Sequence, residues 1–264
     1  MTIGIIGAGN MGGAIIGGIV SGGIAQPSDI IVSDLNKEKI NELKNEYGIK
    51  PGTANADAAA ADILFLCVKP NVVYQVIEGI KDKVRDDTIV ISIVAGQPIE
   101  KLETAFENDK LKLVRVMPNT PALVGEGMAA VVPNANADES DTAKVLEIFN
   151  SFGRAERVTE SLMDAVTAVS GSSPAYVFMF IEAMADAAVQ GGMPRAQAYT
   201  FAAQSVLGSA RMVLETGKHP GELKDMVCSP AGTTIDAVAV LEEEGMRSAV
   251  MKAMKACINK SKSM

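Results

Sequence analysis

The chain has 264 residues, of which 48% are hydrophobic and 21% are charged. That length accommodates one large or two modest domains, and the composition is typical of a globular protein rather than a disordered one. The formal net charge of −8 argues against a nucleic-acid backbone or an anionic membrane surface as the main partner.

Signals for export, membrane insertion, disulfides and metal binding are weak. No basic residue precedes Lys37, so the amino end lacks the basic region of a signal peptide, and the uncharged run 165–181 is broken by SGSSP. The sequence has one histidine, and its three cysteines are too few and too scattered for a disulfide framework or a structural zinc site. We therefore expect a cytoplasmic protein with no membrane span and no metal.

The first half of the chain alternates between apolar runs and helical or loop segments. The runs TIGII, DIIVS, ADILFLCV, DTIVISIV and LKLVRVM predict strands of a parallel sheet that is covered on both faces. NKEKINELKNEYG predicts a helix that follows the cap residue Asn36 and ends at Gly48. Its apolar residues Ile40, Leu43 and Tyr47 share one face, which indicates a helix packed on the sheet.

Three more elements precede a change of pattern. GEGMAAVVP predicts a strand, DESDTAKVLEIFNSFG a capped helix that ends at Gly153, and AERVT a last edge strand. After about residue 158 the strand signals stop, and four helical stretches follow: SPAYVFMFIEAMADAAVQGG with Pro174 in its first turn, PRAQAYTFAAQSVLGSARMVLETG, GTTIDAVAVLEEEG and MRSAVMKAMKACINKSK. We predict an α/β domain over 1–158 and an all-α domain over 159–264. The small residues on several helix faces suit either packing against a twin subunit or a self-sufficient bundle.

A glycine-rich turn follows the first predicted strand. Gly7, Gly9 and Gly12 form a G-x-G-x-x-G motif between TIGII and the helical run MGGAIIGGIV. In a dinucleotide site the first glycine permits the tight turn, the second lets a diphosphate approach the backbone, and the third lets helix and strand pack closely. The helix start adds free amides and the positive end of its dipole. Glycines also form plain turns, so the motif alone is a weak signal.

An acidic residue strengthens the dinucleotide interpretation. Asp34 ends the second predicted strand about 20 residues after Gly12, where a carboxylate can accept a ribose hydroxyl. Its charge would repel the 2′-phosphate of NADPH and so favours NADH, whereas Lys37 nearby could compensate. The order of strand, glycines, helix and acid predicts a Rossmann-like site for NAD or NADP and leaves the choice between them open.

Four polar stretches stand where strands end or helices begin. FLCVKPN stands at the carboxyl end of the predicted strand ADILFLCV, and in it Lys69 faces either a ligand anion or solvent, while Cys67 is a small packing residue rather than a nucleophile. MPNTPALVGEG and SGSSPAY are two more, and SPAGTT leads through Gly232 into a helix that begins with Thr233 and Thr234. This last start is either simple N-capping or a nest that binds a carboxylate. Together with the dinucleotide site, these stretches indicate a small anionic substrate beside a nicotinamide.

The sequence resembles the pyrroline-5-carboxylate reductases over essentially its whole length. The likeness lies in GIIGAGNMG, FLCVKP, MPNTPALVGEG and SGSSPAY, and LKDMVCSPAGTTIDAV is its most specific stretch. The resemblance implies hydride transfer from NAD(P)H to the C=N carbon of 1-pyrroline-5-carboxylate, which gives L-proline. It also implies a Rossmann-like amino-terminal domain, an all-α carboxyl-terminal dimerisation domain, and homodimers that assemble into larger rings, commonly a decamer.

The family pattern also implies residue roles. Thr234 matches the family's hydroxyl donor to the ring nitrogen and is the expected catalytic residue. The expected substrate contacts are Met226, Gly232, Thr233 and Thr234. The expected cofactor contacts are Ile6, Gly7, Ala8, Gly9, Asn10, Met11, Gly12, Asp34, Asn55, Cys67, Val68, Lys69 and Pro70.

Two departures and two rival interpretations accompany the resemblance. Met226 stands where relatives often have a polar residue, and Ser173 where glycine is common. Related dehydrogenases of β-hydroxy acids use a lysine after a glycine-serine loop, but no lysine occurs between Gly171 and Lys218. A non-catalytic dinucleotide sensor would need only the first 158 residues and would leave the polar helix starts of the second half without a purpose.

Overall fold

The computed structural model describes residues 1–263 and divides the chain into two compact units. The first unit comprises residues 1–172 together with the segment from 258 onward, and the second comprises residues 173–257. Within the described range, no helix combines the length and the apolar character that crossing a bilayer requires.

The first unit is built on one eight-stranded sheet with the strand order β3-β2-β1-β4-β5-β6-β7-β8. Neighbouring strands are parallel except for the antiparallel pair β6 and β7. The direction of the winding reverses between β1 and β4, and ligands of such sheets bind at this point, outside the carboxyl ends of the strands. The strands are β1 Ile3–Ile6, β2 Ile30–Ser33, β3 Lys50–Pro51, β4 Ile63–Leu66, β5 Ile89–Ser92, β6 Lys112–Met117, β7 Gly127–Pro133 and β8 Gly153–Arg157.

The sheet confirms the predicted strands, and the five runs predicted to form a parallel sheet are parallel to one another. The next strand, GEGMAAVVP, for which no direction was predicted, is antiparallel to its neighbour. The connection from Met117 to Gly127 contains only a short 3₁₀ turn at Thr120–Val124. A parallel neighbour requires a crossover of about a dozen residues or more, whereas a short connection reverses the chain. The sequence GEGMAAVVP therefore returns as an antiparallel strand beside β6.

Helices cover both faces of the sheet, as predicted. One face packs against α1, α2 and α6, and the other packs against α3, α4 and α5. Asn36 caps α2 by accepting a hydrogen bond from the Lys39 amide, and Gly48 ends this helix in the left-handed conformation. The helices of this unit are α1 Asn10–Ser21, α2 Lys37–Tyr47, α3 Asn55–Ala59, α4 Val73–Ile80, α5 Ile99–Phe106, α6 Glu139–Asn150 and α7 Met163–Val166.

Helix α6 ends three residues before the predicted glycine. Asp138 caps its start by accepting hydrogen bonds from the Ser140 and Asp141 amides, but the helix ends at Asn150. Gly153 instead begins β8, where a Cβ atom would lie 2.1 Å from the carbonyl oxygen of Gly127. The strand backbone therefore approaches too closely for a side chain at this position, and the glycine serves the sheet rather than the helix end.

The second unit is helical, as the sequence predicts. It contains one helix that the sequence analysis did not predict, α10. Proline is well tolerated in a first helical turn, and the ring nitrogen Nδ1 of His219 caps α10 by accepting a hydrogen bond from the Gly221 amide at 3.0 Å. The helices are α8 Ser173–Gln190, α9 Arg195–Thr216, α10 Pro220–Val227, α11 Thr233–Glu243 and α12 Met246–Lys262, of which α12 extends beyond Cys257.

Asp62 ties together the amino ends of two neighbouring strands and provides a test of the first unit. Its carboxylate accepts hydrogen bonds from the amide and hydroxyl of Thr2, at 2.8 and 3.1 Å, and forms an ion pair with Arg85 at 2.8 Å. These donors, the Thr2 amide first, hold the pKa of Asp62 below its usual value. The contribution of the carboxylate to stability is therefore fully present at pH values above about 4, the pKa of an aspartate in the unfolded chain. It is lost as the pH falls through the lower pKa of Asp62 in the folded protein.

We expect Asp62→Asn to lower the free energy of unfolding at neutral pH by no more than about 1 kcal/mol, because the half-exposed side chain is screened by water. The difference between variant and wild type should narrow when the pH is lowered to about 3. Urea titrations at the two pH values measure it, and a constant difference would contradict the stated role of the carboxylate charge.

Candidate active site

Two glycines of the turn after β1, Gly7 and Gly12, have the tight turn and the close helix–strand packing that the motif predicts. Gly7 has a φ of +106°, and a Cβ atom there would lie 2.4 Å from the carbonyl oxygen of Cys67. A Cβ atom on Gly12 would lie 2.1 Å from the carbonyl oxygen of Gly7. Both positions therefore exclude any larger residue, and the second brings α1 close against the strand.

The amino end of α1 opens onto free space at Gly9. This exposed residue is the N-cap of α1, and among residues 1–263 no side chain accepts a hydrogen bond from the helix start. The first turn contains no acidic residue. A Cβ atom on Gly9 would have no other atom within 4 Å. Uncapped amides beside an open backbone suit an anion, so the residues present fit the diphosphate of a dinucleotide.

Asp34 joins the turn after β1 to the turn after β2. Its Oδ2 atom accepts a hydrogen bond from the Ala8 amide at 2.6 Å, and its Oδ1 atom accepts one from the Asn36 amide at 2.8 Å. The side chain is partly buried. Both oxygens are thus engaged by the backbone, and each retains a lone pair for a further donor. The ribose contact of Asp34 stays a prediction.

Asn55 lies at the start of α3, beside the carboxyl end of β2. Its Oδ1 atom accepts a hydrogen bond from the Ser33 hydroxyl at 2.8 Å. Among the described residues, none accepts a hydrogen bond from its Nδ2 atom. The sequence analysis did not single out Ser33, although its place at the strand end, just before Asp34, was the available signal.

The segment from Cys67 to Pro70 follows β4, whose carboxyl end lies beside that of β1. The Cys67 amide donates to the Ile6 carbonyl oxygen at 2.8 Å, which continues the pairing of the two strands. Burial raises the pKa of the Cys67 thiol, so the thiol stays protonated at neutral pH and has the character of a packing group. Lys69 is exposed to solvent.

The sequence analysis missed a further loop at the same edge of the sheet. Residues 93–98 follow β5, which pairs with β4, and Gly96 in this loop has a φ of +69°. The hydroxyl of Tyr74 on α4 donates to the Oε1 atom of the buried Gln97 and so fastens the loop to the helix that follows β4. The signal available in the sequence was Gly96, two residues after the run DTIVISIV.

The stretch MPNTPALVGEG does not present its asparagine to a ligand. Asn119 is buried, its Nδ2 atom donates to the Ser170 carbonyl oxygen at 3.1 Å, and its Oδ1 atom accepts from the Met128 amide at 2.8 Å. Its amide group ties the loop after β6 to the start of β7 and to the π-helical turn Thr167–Gly171. The polarity of this loop therefore serves the architecture of the first unit.

In the second unit, three of the four predicted substrate residues lie at the amino end of α11. Gly232 is the N-cap of α11 and its amide donates to the Ser229 carbonyl oxygen at 3.1 Å, and among residues 1–263 no side chain accepts a hydrogen bond from this helix start. Thr233 is exposed and Thr234 is partly buried, and within residues 1–263 neither hydroxyl has a hydrogen-bond partner. Neither threonine therefore N-caps the helix, which was one of the two interpretations that the sequence left open. Their donors are available to an anion.

The backbone before α11 is strained. Ala231 has a φ of +56°, a left-handed conformation that is uncommon for a residue with a Cβ atom. A Cβ atom on the next residue, Gly232, would lie 2.3 Å from the Ser229 hydroxyl oxygen. Such strain is found at ligand-binding turns, where it holds donors in position. Met226, near the end of α10, is 63% exposed in this unit.

Comparisons with known proteins indicate the same family that the sequence resembles. Residues 160–264 match the family described as pyrroline-5-carboxylate reductase dimerisation, and residues 2–96 match the family described as NADP oxidoreductase coenzyme F420-dependent. The pyrroline-5-carboxylate reductase of Escherichia coli is 54% identical over 260 residues, which cover 98% of this chain and 96% of that protein.

Solved structures give the same result. The pyrroline-5-carboxylate reductase of Coxiella burnetii superposes with a TM-score of 0.92 at 33% identity and covers 99% of this chain and 97% of its own. The pyrroline carboxylate reductase of Plasmodium falciparum with NADP bound has a TM-score of 0.88 at 34% identity, covering 100% of this chain and 97% of its own. With these identities over nearly its full length, the chain belongs to the pyrroline-5-carboxylate reductase family.

Proposed function

We propose that this protein reduces 1-pyrroline-5-carboxylate to L-proline with NAD(P)H as the hydride donor, the last step of proline biosynthesis. Its family membership supports the reaction, and one observation of the structure carries the cofactor site. The start of α1 is uncapped and opens at Gly9 onto a backbone where nothing lies within 4 Å of an added Cβ atom. A diphosphate fits that opening and finds the positive end of a helix there.

We assign the cofactor to the carboxyl ends of β1, β2 and β4. When bound, the reduced nicotinamide supplies the hydride. The amides at the start of α1 bind the diphosphate, Asp34 or its neighbours face the ribose, and Asn55 offers its free Nδ2 atom. The full set of residues proposed to hold the cofactor is Ile6, Gly7, Ala8, Gly9, Asn10, Met11, Gly12, Asp34, Asn55, Cys67, Val68, Lys69 and Pro70.

We assign the substrate carboxylate to the start of α11. Thr233 and Thr234 offer backbone amides there that no side chain among residues 1–263 caps, and the helix dipole favours a negative charge. Gly232 adds the side-chain-free backbone at the N-cap, although its own amide donates to the Ser229 carbonyl oxygen. Thr234 donates its hydroxyl to the ring nitrogen and is the proposed catalytic residue. Met226 contributes apolar surface to this site in place of a hydrogen bond.

The reaction requires positioning more than it requires a strong acid. The nitrogen of a cyclic imine is basic, so the protonated form arrives already electrophilic. The hydride adds to the carbon, the proton remains on nitrogen, and the electron pair of the C=N double bond becomes the nitrogen lone pair to which the Thr234 hydroxyl donates. Holding two reactants in a reactive geometry contributes about 7–11 kcal/mol to lowering the barrier. The side chains agree with this requirement, since the one histidine of the sequence, His219, is used to cap α10.

We propose two domains and a homo-oligomer. Residues 1–158 form the dinucleotide-binding domain and residues 159–264 form the helical dimerisation and substrate-binding domain, a division that the match over residues 160–264 supports. Large apolar side chains are exposed in the helical unit, among them Phe178 at 62%, Met179 at 69% and Phe201 at 66%. A second copy would cover such a surface. We expect homodimers, and five of them in a decamer, in the cytoplasm, where the thiols of Cys67, Cys228 and Cys257 stay reduced.

The deciding assay follows the oxidation of NADPH and of NADH, separately, with synthetic pyrroline-5-carboxylate and quantifies L-proline. We expect one proline per cofactor oxidised with at least one of the two cofactors. The same protein incubated with β-hydroxy acids and oxidised cofactor tests the rival reaction, for which the helix after Gly171 offers no lysine. Turnover of a β-hydroxy acid without turnover of the imine would contradict the proposal.

A further inference from the structure

Asp34 accepts hydrogen bonds from backbone amides of two turns, and neither its place in the motif nor its expected ribose contact requires these bonds. Two consecutive amides of the glycine turn point toward the end of β2 instead of toward a ligand. The Gly7 amide donates to the Ser33 carbonyl oxygen at 2.9 Å, and the Ala8 amide donates to Asp34 Oδ2 at 2.6 Å. The first of these bonds continues the strand pairing, whereas the second depends on a side chain.

The other carboxylate oxygen holds the start of α2. Asp34 Oδ1 accepts a hydrogen bond from the Asn36 amide at 2.8 Å, and the Asn36 side chain in turn caps α2 by accepting from the Lys39 amide at 3.1 Å. One carboxylate therefore connects the turn after β1 with the turn after β2. Hydrogen bonds from amides to an ionised acceptor are roughly twice as strong as bonds between neutral groups.

We propose that Asp34 is a positioning residue that fixes the diphosphate cradle, namely the turn from Gly7 to Gly9 and the first amides of α1, before the cofactor binds. Ala8 is fully buried, so its amide has no access to bulk water. Without the carboxylate, this amide therefore loses its acceptor. The next residue is Gly9, where the cradle opens. Fixing Ala8 fixes the direction in which the amides at the start of α1 point, and a preformed cradle loses less entropy on binding.

This role differs from the ribose contact in what it predicts. A carboxylate that acts only through its charge at the ribose favours the binding of NADH over that of NADPH. Removing it would therefore weaken the binding of NADH and strengthen the binding of NADPH. A carboxylate that holds the cradle supports both cofactors, because both carry the same diphosphate. The inference rests on the proposed function in one respect, namely that the cradle binds a dinucleotide.

The experiment compares Asp34→Ala and Asp34→Asn with the wild-type protein. We expect faster hydrogen–deuterium exchange in a peptide covering residues 4–14, measured without cofactor, in Asp34→Ala. Asp34→Asn should show a smaller increase, because its amide oxygen can still accept one of the two bonds. The dissociation constants of NADPH and NADH, measured by calorimetry, should both rise, roughly tenfold for Asp34→Ala. The KM for the cofactor should rise with them, while kcat at saturating cofactor should stay near the wild-type value.

Asp29→Ala is the matched control. Asp29 precedes β2 at its amino end, so this variant removes one carboxylate from the opposite edge of the sheet and should leave exchange and both affinities unchanged. Unchanged exchange over residues 4–14 in Asp34→Ala, or tighter NADPH binding, overturns the inference. The exchange measurement needs no ligand, so it stays decisive even if the wild-type protein failed to reduce the imine, which would count against the proposed function alone.

Discussion

Gly9→Val should abolish tight binding of NADPH and NADH while the protein stays folded. Gly9 has φ −66° and ψ −173°, an extended conformation that valine adopts without strain, and its Cβ atom would meet nothing within 4 Å. The valine side chain therefore occupies the space in front of the uncapped amides of α1. Replacing glycine at an N-cap lowers the stability of the helix by no more than about 1 kcal/mol.

The expected loss of affinity is large because two effects add. The side chain excludes the diphosphate from amides whose hydrogen bonds to a charged group contribute about 1.5–3 kcal/mol each, and it adds steric overlap. A loss of about 3 kcal/mol corresponds to a dissociation constant about 100-fold higher. Calorimetry with each cofactor measures the loss, and thermal unfolding followed by circular dichroism checks the fold.

Gly79→Val is the matched control for this variant. Gly79 lies on the exposed side of α4, and a Cβ atom there also meets nothing within 4 Å. The same substitution away from the sheet edge should leave the affinity for both cofactors at the wild-type value. Wild-type affinity in Gly9→Val itself would show that the diphosphate does not approach this residue, and the assignment of the cradle would then be wrong.

The features predicted correctly from the sequence are those that short stretches of chain determine. Two glycines of the turn, Gly7 and Gly12, satisfy steric demands that arise within a few residues or against the adjacent strand, and the cap Asn36 bonds an amide three residues ahead. Helix periodicity and strand runs likewise depend on neighbours in sequence. The family resemblance then supplied the reaction, which no single motif of the chain specifies.

The features that the sequence did not predict depend on residues distant in the chain. The Ala8 amide bonds to Asp34, and Asn119 bonds to Ser170, so the direction of these polar groups follows from how the strands are ordered. Asn119 stood in a polar loop that suggested a ligand, yet both ends of its amide are occupied by the backbone. Polarity in a loop indicates where donors lie but not which of them the fold has already used.

Thr234→Ala should lower kcat/KM for pyrroline-5-carboxylate by about 100-fold, because it removes a positioned donor to the lone pair that develops on nitrogen, and losing one such donor costs about 10²–10³ in rate. The Thr234 hydroxyl is partly buried at the start of α11 and has no partner among residues 1–263. Its removal leaves the backbone amides of the helix start in place. The affinity for NADPH and NADH should therefore stay unchanged, because the proposed cofactor contacts lie elsewhere in the chain.

Three further variants separate the hydroxyl from the rest of the side chain. Thr234→Ser retains the donor and should recover most of the activity, whereas Thr234→Val retains the shape without the donor and should resemble Thr234→Ala. Thr200→Ala removes a helical threonine whose hydroxyl bonds the Ala196 carbonyl oxygen, and it should leave kcat/KM near the wild-type value. Wild-type turnover in Thr234→Val would exclude a role for this hydroxyl at the ring nitrogen. The backbone amides at the start of α11 and the basicity of the imine itself would then be sufficient for the reaction.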